Sequence, residues 1–172
     1  MTARSMEAAS RVLLADDDAD VLKALELLLK ANGFRSQAVR SAPAALAALR
    51  EGEFDALLAD MNFTRDTSSG AEGLELIERA VALAPGMPVI ALTAFGSVEL
   101  AVEAMRRGAR DFVQKPWENA RLVATLRTQA ELSRALRRGQ RLEAENLALR
   151  DASRPLLIAE SEAMKPVLEM IE

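Results

Sequence analysis

Two hydrophobic periods alternate along this chain. Short β-type runs recur near 11–15, 35–40, 54–59, 87–92 and 111–114, each of a length suited to a strand. Between them apolar residues fall at helical spacing, which predicts helices starting after Asp20, after Ser41, near Glu72 and after Ser97. Punctuating residues agree with those edges. Asn32-Gly33 closes the first helix, Ser41 caps the second with Pro43 in its first turn, Pro85-Gly86 breaks the third, and Gly108 ends the fourth.

Regular strand–helix alternation implies βαβ units around a parallel sheet. Right-handed crossovers leave few strand orders, and the flavodoxin-like order 2-1-3-4-5 is the simplest that places strands 1 and 3 side by side. The expectation is therefore an α/β domain over 11–120, preceded by a flexible leader at 1–10.

From Glu118 to about Arg150 there is no proline and one glycine, Gly139. Such a run predicts a single helix of roughly 50 Å. The α/β domain can pack only its first four turns or so, so 121–152 reads as a linker. Leu122, Leu126, Leu132, Leu136, Leu142 and Leu149 offer an apolar stripe for a dimeric coiled coil, with a solvated linker helix as the other reading. Arg134, Arg137, Arg138 and Arg141 alternate with Glu131, Glu143 and Glu145 and read as a solvated face rather than a DNA grip. Ser153-Arg154-Pro155 breaks the helix, and 153–172 reads as the start of a further domain.

Composition narrows the chemistry. The 172 residues include no cysteine and no histidine, which excludes thiolate and imidazole catalysis and metal sites built on those ligands. A net charge of -4 gives no general attraction to nucleic acid, and no apolar run reaches the length of a membrane span. Met1 to Arg11 lacks the apolar core of a signal peptide, so a cytoplasmic location without membrane attachment is the expectation.

The strand ends carry the ionic residues. Asp16-Asp17-Asp18 closes the first run, Asp60 the third, Thr93 the fourth, and Lys115-Pro116 the fifth. In an open parallel sheet a ligand site lies beyond the carboxyl ends of the strands, so these groups converge on one pocket. Converging carboxylates repel unless a cation sits among them. Mg²⁺ suits oxygen ligands, here Asp17, Asp60 and the backbone carbonyl of Asn62, with Asp16 holding a ligand water or completing the shell.

If Asp60 attacks a phosphoryl group, its equatorial oxygens need donors fixed in advance. Lys115 offers an ammonium, Thr93 a hydroxyl, and Met61 and Ala94 their backbone N–H groups. Taken singly each has a plain alternative: Asp18 and Asp20 as helix caps, Lys115 as a surface lysine, Thr93 as a strand residue. A calcium loop beginning at Asp16 fails at Val21 and Leu27, where glycine and glutamate are required.

With those residues in place, the first 120 positions or so resemble the receiver domain of two-component response regulators, whose CheY-like fold has the order given above. Asp16-Asp17, Asp60, Thr93-Ala94, Phe112 and Lys115-Pro116 carry the likeness. The resemblance implies that Asp60 accepts a phosphoryl group from a partner sensor histidine kinase, with Mg²⁺ held by Asp16, Asp17 and Asp60 and with Lys115 on the phosphoryl group. It also implies a switch in which Thr93 moves toward the phosphate and Phe112 turns inward, the alternative for Phe112 being a plain core aromatic.

The rest of the chain is similar to NtrC-like, sigma-54-dependent activators. Leu156 to Met164 resembles the entry to their AAA+ ATPase domain, with Ala159 where glycine is usual. No phosphate-loop motif G-x-x-x-x-G-K-[ST] occurs, so no ATPase activity is expected of this chain itself. The full-length regulator so implied would act on sigma-54 RNA polymerase and DNA through domains outside this chain, as a homodimer through the 118–150 helix.

One departure stands out: Gly73 lies thirteen residues beyond Asp60, further than the resemblance leads one to expect, and the usual turn proline is missing. The intervening Phe63 to Ala71 reads as a polar, mobile loop that either tunes kinase choice and phosphate lifetime or is a tolerated insertion. A rival function is a haloacid-dehalogenase-like phosphohydrolase with Asp16 as nucleophile and Asp18 as acid/base, although only Trp117-Glu118-Asn119 follows Lys115 where a later acidic motif is needed. A flavodoxin-like nucleotide binder would set a cofactor phosphate against three carboxylates, and a scaffold with a silent pocket is the third alternative.

Overall fold

The computed structural model describes residues 9–63, 70–93 and 98–152. The leader up to residue 8, most of the loop after Asn62, Ala94 and the 153–172 segment lie outside the described residues. Five strands, β1 (Arg11–Ala15), β2 (Arg35–Val39), β3 (Ala56–Asp60), β4 (Val89–Thr93) and β5 (Asp111–Gln114), form one parallel sheet in the order β2-β1-β3-β4-β5. The helices are α1 (Ala19–Ala31), α2 (Ala42–Glu51), α3 (Ala71–Leu83), α4 (Val98–Arg106) and α5 (Asn119–Ala152).

The period of two along each strand sorts side chains onto the two sheet faces. Val12, Leu14, Leu58, Ile90, Leu92 and Val113 pack against Leu22, Leu25 and Leu29 of α1 and Leu122, Val123 and Leu126 of α5. Leu13, Leu57, Ala59, Val89 and Ala91 face Leu46 and Leu49 of α2, Leu76 and Ile77 of α3 and Ala104 of α4. Both faces are covered, which is why the central strands read as unbroken apolar runs.

Two strand predictions shift toward the carboxyl end. The ladder of β3 starts at Ala56 instead of Phe54, and that of β4 at Val89 instead of Met87. Phe54 and Met87 are buried in the core without pairing, so their hydrophobicity records burial and not a ladder hydrogen bond. The consequence is functional: Asp60 and Thr93 become the last residues of their strands rather than residues beyond them.

Helix edges follow local chemistry. Asp18 is the N-cap of α1, its carboxylate accepting from the N–H groups of Asp20 (2.8 Å) and Val21 (3.3 Å), so α1 begins before Asp20. Ser41 Oγ accepts from Ala44 N–H at 3.3 Å and caps α2. Gly73 does not open α3. The helix starts at Ala71, and Gly73 lies in its first turn where an added Cβ would stand 2.5 Å from Met61 Cα and 2.6 Å from its carbonyl oxygen. Glycine there lets α3 lie directly on the backbone that follows Asp60. Phe63, predicted to begin a polar mobile loop, is buried in the core.

The chain divides into two compact units, through Arg137 and from Arg138 onward, with α5 contributing to each. In the first unit, α5 buries Leu122, Val123, Leu126, Ala130 and Ser133. Full burial is worth about 1.5–3 kcal/mol for a leucine, so Leu122 and Leu126 belong to this core and drop out of the predicted dimer stripe.

Polar contacts continue the attachment: Ser133 Oγ donates to Gly86 O at 2.7 Å, and Asp55 accepts from Arg11 N–H (2.9 Å), Arg134 Nη2 (3.3 Å) and Arg137 Nη2 (2.8 Å). Arg134 and Arg137 are therefore not the solvated face that their spacing suggested. In the second unit the described helix exposes Leu142, Leu147 and Leu149 and pairs Arg141 with Glu145 at 2.8 Å.

Replacing Gly73 with Ala forces α3 off the Met61 backbone and is expected to cost about 2 kcal/mol or more in urea unfolding, at the upper side of overpacking penalties. Gly139→Ala meets no atom within 4 Å and should instead gain about 0.5–1 kcal/mol of helix stability. Burial pushes the Asp55 carboxyl up, but the Arg11 N–H and the Arg134 and Arg137 guanidiniums outweigh it and hold it below the ordinary 3.8. That contribution is present above 3.8 and lost as pH falls through the depressed value. Asp55→Asn should accordingly cost about 1 kcal/mol at neutral pH, the guanidiniums being part-exposed, with the gap to wild type closing in acid.

Candidate functional site

The predicted residues converge. Parallel pairing sets Ala15 beside Ala59 and Asp60 beside Leu92, so the residues ending β1, β3 and β4 share one edge of the sheet. Lys115 N–H donates to Thr93 O at 2.7 Å, which brings the lysine from β5 to the same edge. Carboxylate oxygens of Asp16, Asp17 and Asp60 lie within 4.8 Å of one another. Asp16 and Asp60 are buried, at 1% and 4% exposure, and Asp17 stands at the opening.

Lys115 supplies the countercharge. Its Nζ is 2.7 Å from Asp16 Oδ2 and 3.0 Å from Asp60 Oδ1. Burial pulls the ammonium down, but the hydrogen bond to Asp16 and the charges of Asp60 and Asp16 outweigh it and leave Lys115 above its usual range.

Asp60 is raised as well: burial pushes its carboxyl up, the Lys115 charge only partly opposes this, and the Asp16 charge adds to it. The lysine thus belongs more to Asp16 than to Asp60, as the shorter contact also indicates. The second Asp16 oxygen is engaged as well, since Oδ1 accepts from Asp18 N–H at 2.9 Å.

This donor set fits a hard divalent cation: three carboxylates facing one another, one of them with its proton affinity raised by burial and by the neighbouring Asp16 charge. A second observation agrees. Among the described residues, Asn62 Oδ1 is the buried side-chain oxygen without a hydrogen-bond partner, and it sits two residues beyond Asp60. Thr93 is 2% exposed at the tip of β4.

One predicted donor is spent elsewhere, and another is not described. Met61 N–H is committed to Leu92 O at 3.0 Å and is unavailable to a ligand, while Ala94 lies outside the described residues. Phe112 is 40% exposed, which rules out the plain core aromatic. Sequence reasoning missed Arg40, whose guanidinium donates twice to Asp17 O, from Nη2 at 2.9 Å and Nε at 3.3 Å. Its position at the end of an edge strand was the available signal.

Comparison with known proteins agrees with the geometry. The response regulator receiver domain family matches residues 12–127. The C4-dicarboxylate transport transcriptional regulatory protein DctD of Rhizobium meliloti is 35% identical over 150 residues, covering 84% of this chain and 32% of that one. Among solved structures, a CheY-like receiver domain protein from Methanospirillum hungatei superposes with a TM-score of 0.67 at 27% identity, covering 74% of this chain and 98% of that one. NtrX from Brucella abortus gives 0.69 at 28% identity, covering 95% and 34%. The chain spans about a third of the length of the curated regulators that it matches first.

A carboxyl raised on folding stabilises the fold below its unfolded value, and that benefit is lost as pH rises through the folded value. Asp60→Asn removes the penalty of the ionised form. In metal-free buffer the variant should therefore melt at a higher temperature than wild type at pH 7, with the difference vanishing below 3.8, the ordinary value of this carboxyl.

Proposed function

This chain belongs to the response regulator receiver domain family, and on that premise we propose that Asp60 is its phosphoacceptor, charged by a sensor histidine kinase. The observation that carries the reading is Asp60 at the strand tip, its Oδ1 3.0 Å from Lys115 Nζ and its carboxylate facing those of Asp16 and Asp17. These 172 residues contain no histidine, so a phosphohistidine donor lies outside them.

In the transfer, an Asp60 carboxylate oxygen attacks phosphorus, the bond from phosphorus to the donor nitrogen breaks, and an acyl phosphate forms on Asp60. Lys115 moves its charge toward the incoming phosphoryl oxygens, and the Thr93 hydroxyl donates to one of them. Asp16, Asp17, Asp60 and the Asn62 carbonyl would hold Mg²⁺, which supplies neutralisation of the phosphoryl charge. Asp16 as the nucleophile of a phosphohydrolase gains no support from the comparisons, since the receiver domain family matches residues 12–127.

Output follows from the new contacts. Thr93 drawn toward the phosphate vacates space into which the exposed Phe112 turns, and the populations of two arrangements of the α4–β5–α5 face shift. The helix of 118–150 then serves as the dimer contact through Leu132, Leu136, Leu142 and Leu149, each more than half exposed. The likeness to DctD and NtrX supports placing the whole protein among NtrC-like, sigma-54-dependent activators that work on RNA polymerase and DNA through further domains.

Treatment with a small phosphodonor and Mg²⁺ should add one hydroxylamine-labile phosphoryl group per chain, read by intact mass. Asp60→Asn should add none, and a modification surviving in that variant would overturn the assignment. Beryllofluoride with Mg²⁺ should change the sedimentation of wild type and leave the variant unaltered.

A further inference from the structure

Each residue of the acid triplet after β1 is tethered. Asp16 N–H donates to Val39 O at 3.2 Å, which fixes the first residue to the end of β2. Asp18 is fixed twice, as donor to Asp16 Oδ1 (2.9 Å) and as N-cap of α1. Asp17 lies between them, and its main-chain carbonyl accepts the fork of Arg40, Nη2 at 2.9 Å and Nε at 3.3 Å. Arg40 immediately follows β2, the neighbour of β1 in the sheet, so this clamp crosses from one strand end to the next.

The choice of acceptor is informative. Arg40 stands beside Asp17, Asp18 and Asp20, which line one surface depression with it. Yet among the described residues it takes part in no ion pair within 4.0 Å. Two of its donors go to a carbonyl oxygen, and the Asp17 carboxylate stays available. A guanidinium so used fixes geometry and leaves the anionic charge of the pocket intact.

Resting on the metal-dependent phosphoacceptor reading above, we propose that Arg40 is a positioning residue, which holds the Asp17 carboxylate toward the pocket by clamping that residue's main-chain carbonyl. The sign of its effect separates this from electrostatics. A positive charge near a cation site opposes the cation, so loss of Arg40 would tighten Mg²⁺ binding if charge alone mattered. Loss of the clamp lets Asp17 swing and weakens binding instead.

Mg²⁺ titration of the full chain, followed by the amide NMR shifts of residues 15–18 and 59–62, decides between them. Arg40→Met is expected to weaken Mg²⁺ binding on the order of tenfold, the lower end of what loss of an outer-shell partner costs, with an unchanged melting temperature in metal-free buffer. Arg40→Lys, which retains a donor and the charge, should recover part of the affinity. Phosphorylation of Arg40→Met by a small phosphodonor should be slow at low Mg²⁺ and approach the wild-type rate when Mg²⁺ is raised.

Unchanged or tighter Mg²⁺ binding in Arg40→Met, with wild type responding normally, overturns this inference alone. A wild-type chain whose shifts do not respond to Mg²⁺ overturns the phosphoacceptor reading together with it.

Discussion

Asp16, just past the end of β1, and Asp60, the last residue of the neighbouring β3, are two buried carboxylates that share one ammonium. Lys115 reaches both, but it is closer to Asp16, and the two acids therefore differ in environment although their chemistry is the same. Asp16 is held by Lys115 and by Asp18 N–H, whereas Asp60 is buried, crowded and only partly compensated. In a low-dielectric site such differences in pairing weigh more than they would in water.

The opposite end of the sheet carries a second charged junction of the opposite composition. There one carboxylate, Asp55, serves a backbone N–H and two guanidiniums from α5. Together with Ser133 on Gly86 O, it ties α5 down well beyond Leu126, the last leucine of the helix in the core. A helix whose apolar stripe runs out is thus continued against the domain by ion pairs. The same residues, Arg134 and Arg137, would look like solvent decoration on a helical projection of the sequence.

Much of this was legible residue by residue. The aliphatic runs, the caps at Asp18 and Ser41 and the turn glycines mark elements through forces that act within a few residues, so their order and type follow directly. Acidic residues, a threonine and a lysine at strand ends were legible too, because a parallel sheet puts all its carboxyl ends on one edge. Less legible were the exact ladders of β3 and β4, since Phe54 and Met87 satisfy the core without pairing. The leucine stripe of α5 was misjudged in part for a related reason: hydrophobic spacing says that a face is buried, not by which partner.

By itself the sequence determined the α/β alternation, the strand order and the identity of the pocket acids, because local periodicity and crossover handedness restrict these to almost one solution. Only the tertiary structure decided which acid Lys115 favours, that Met61 N–H is spent on the sheet, that Gly73 touches the Met61 backbone, and that Arg40 and Asp55 fasten distant segments. Those outcomes depend on distances between residues far apart in the chain. Such distances are set by packing the whole domain at once and leave no mark on the pattern of any one segment.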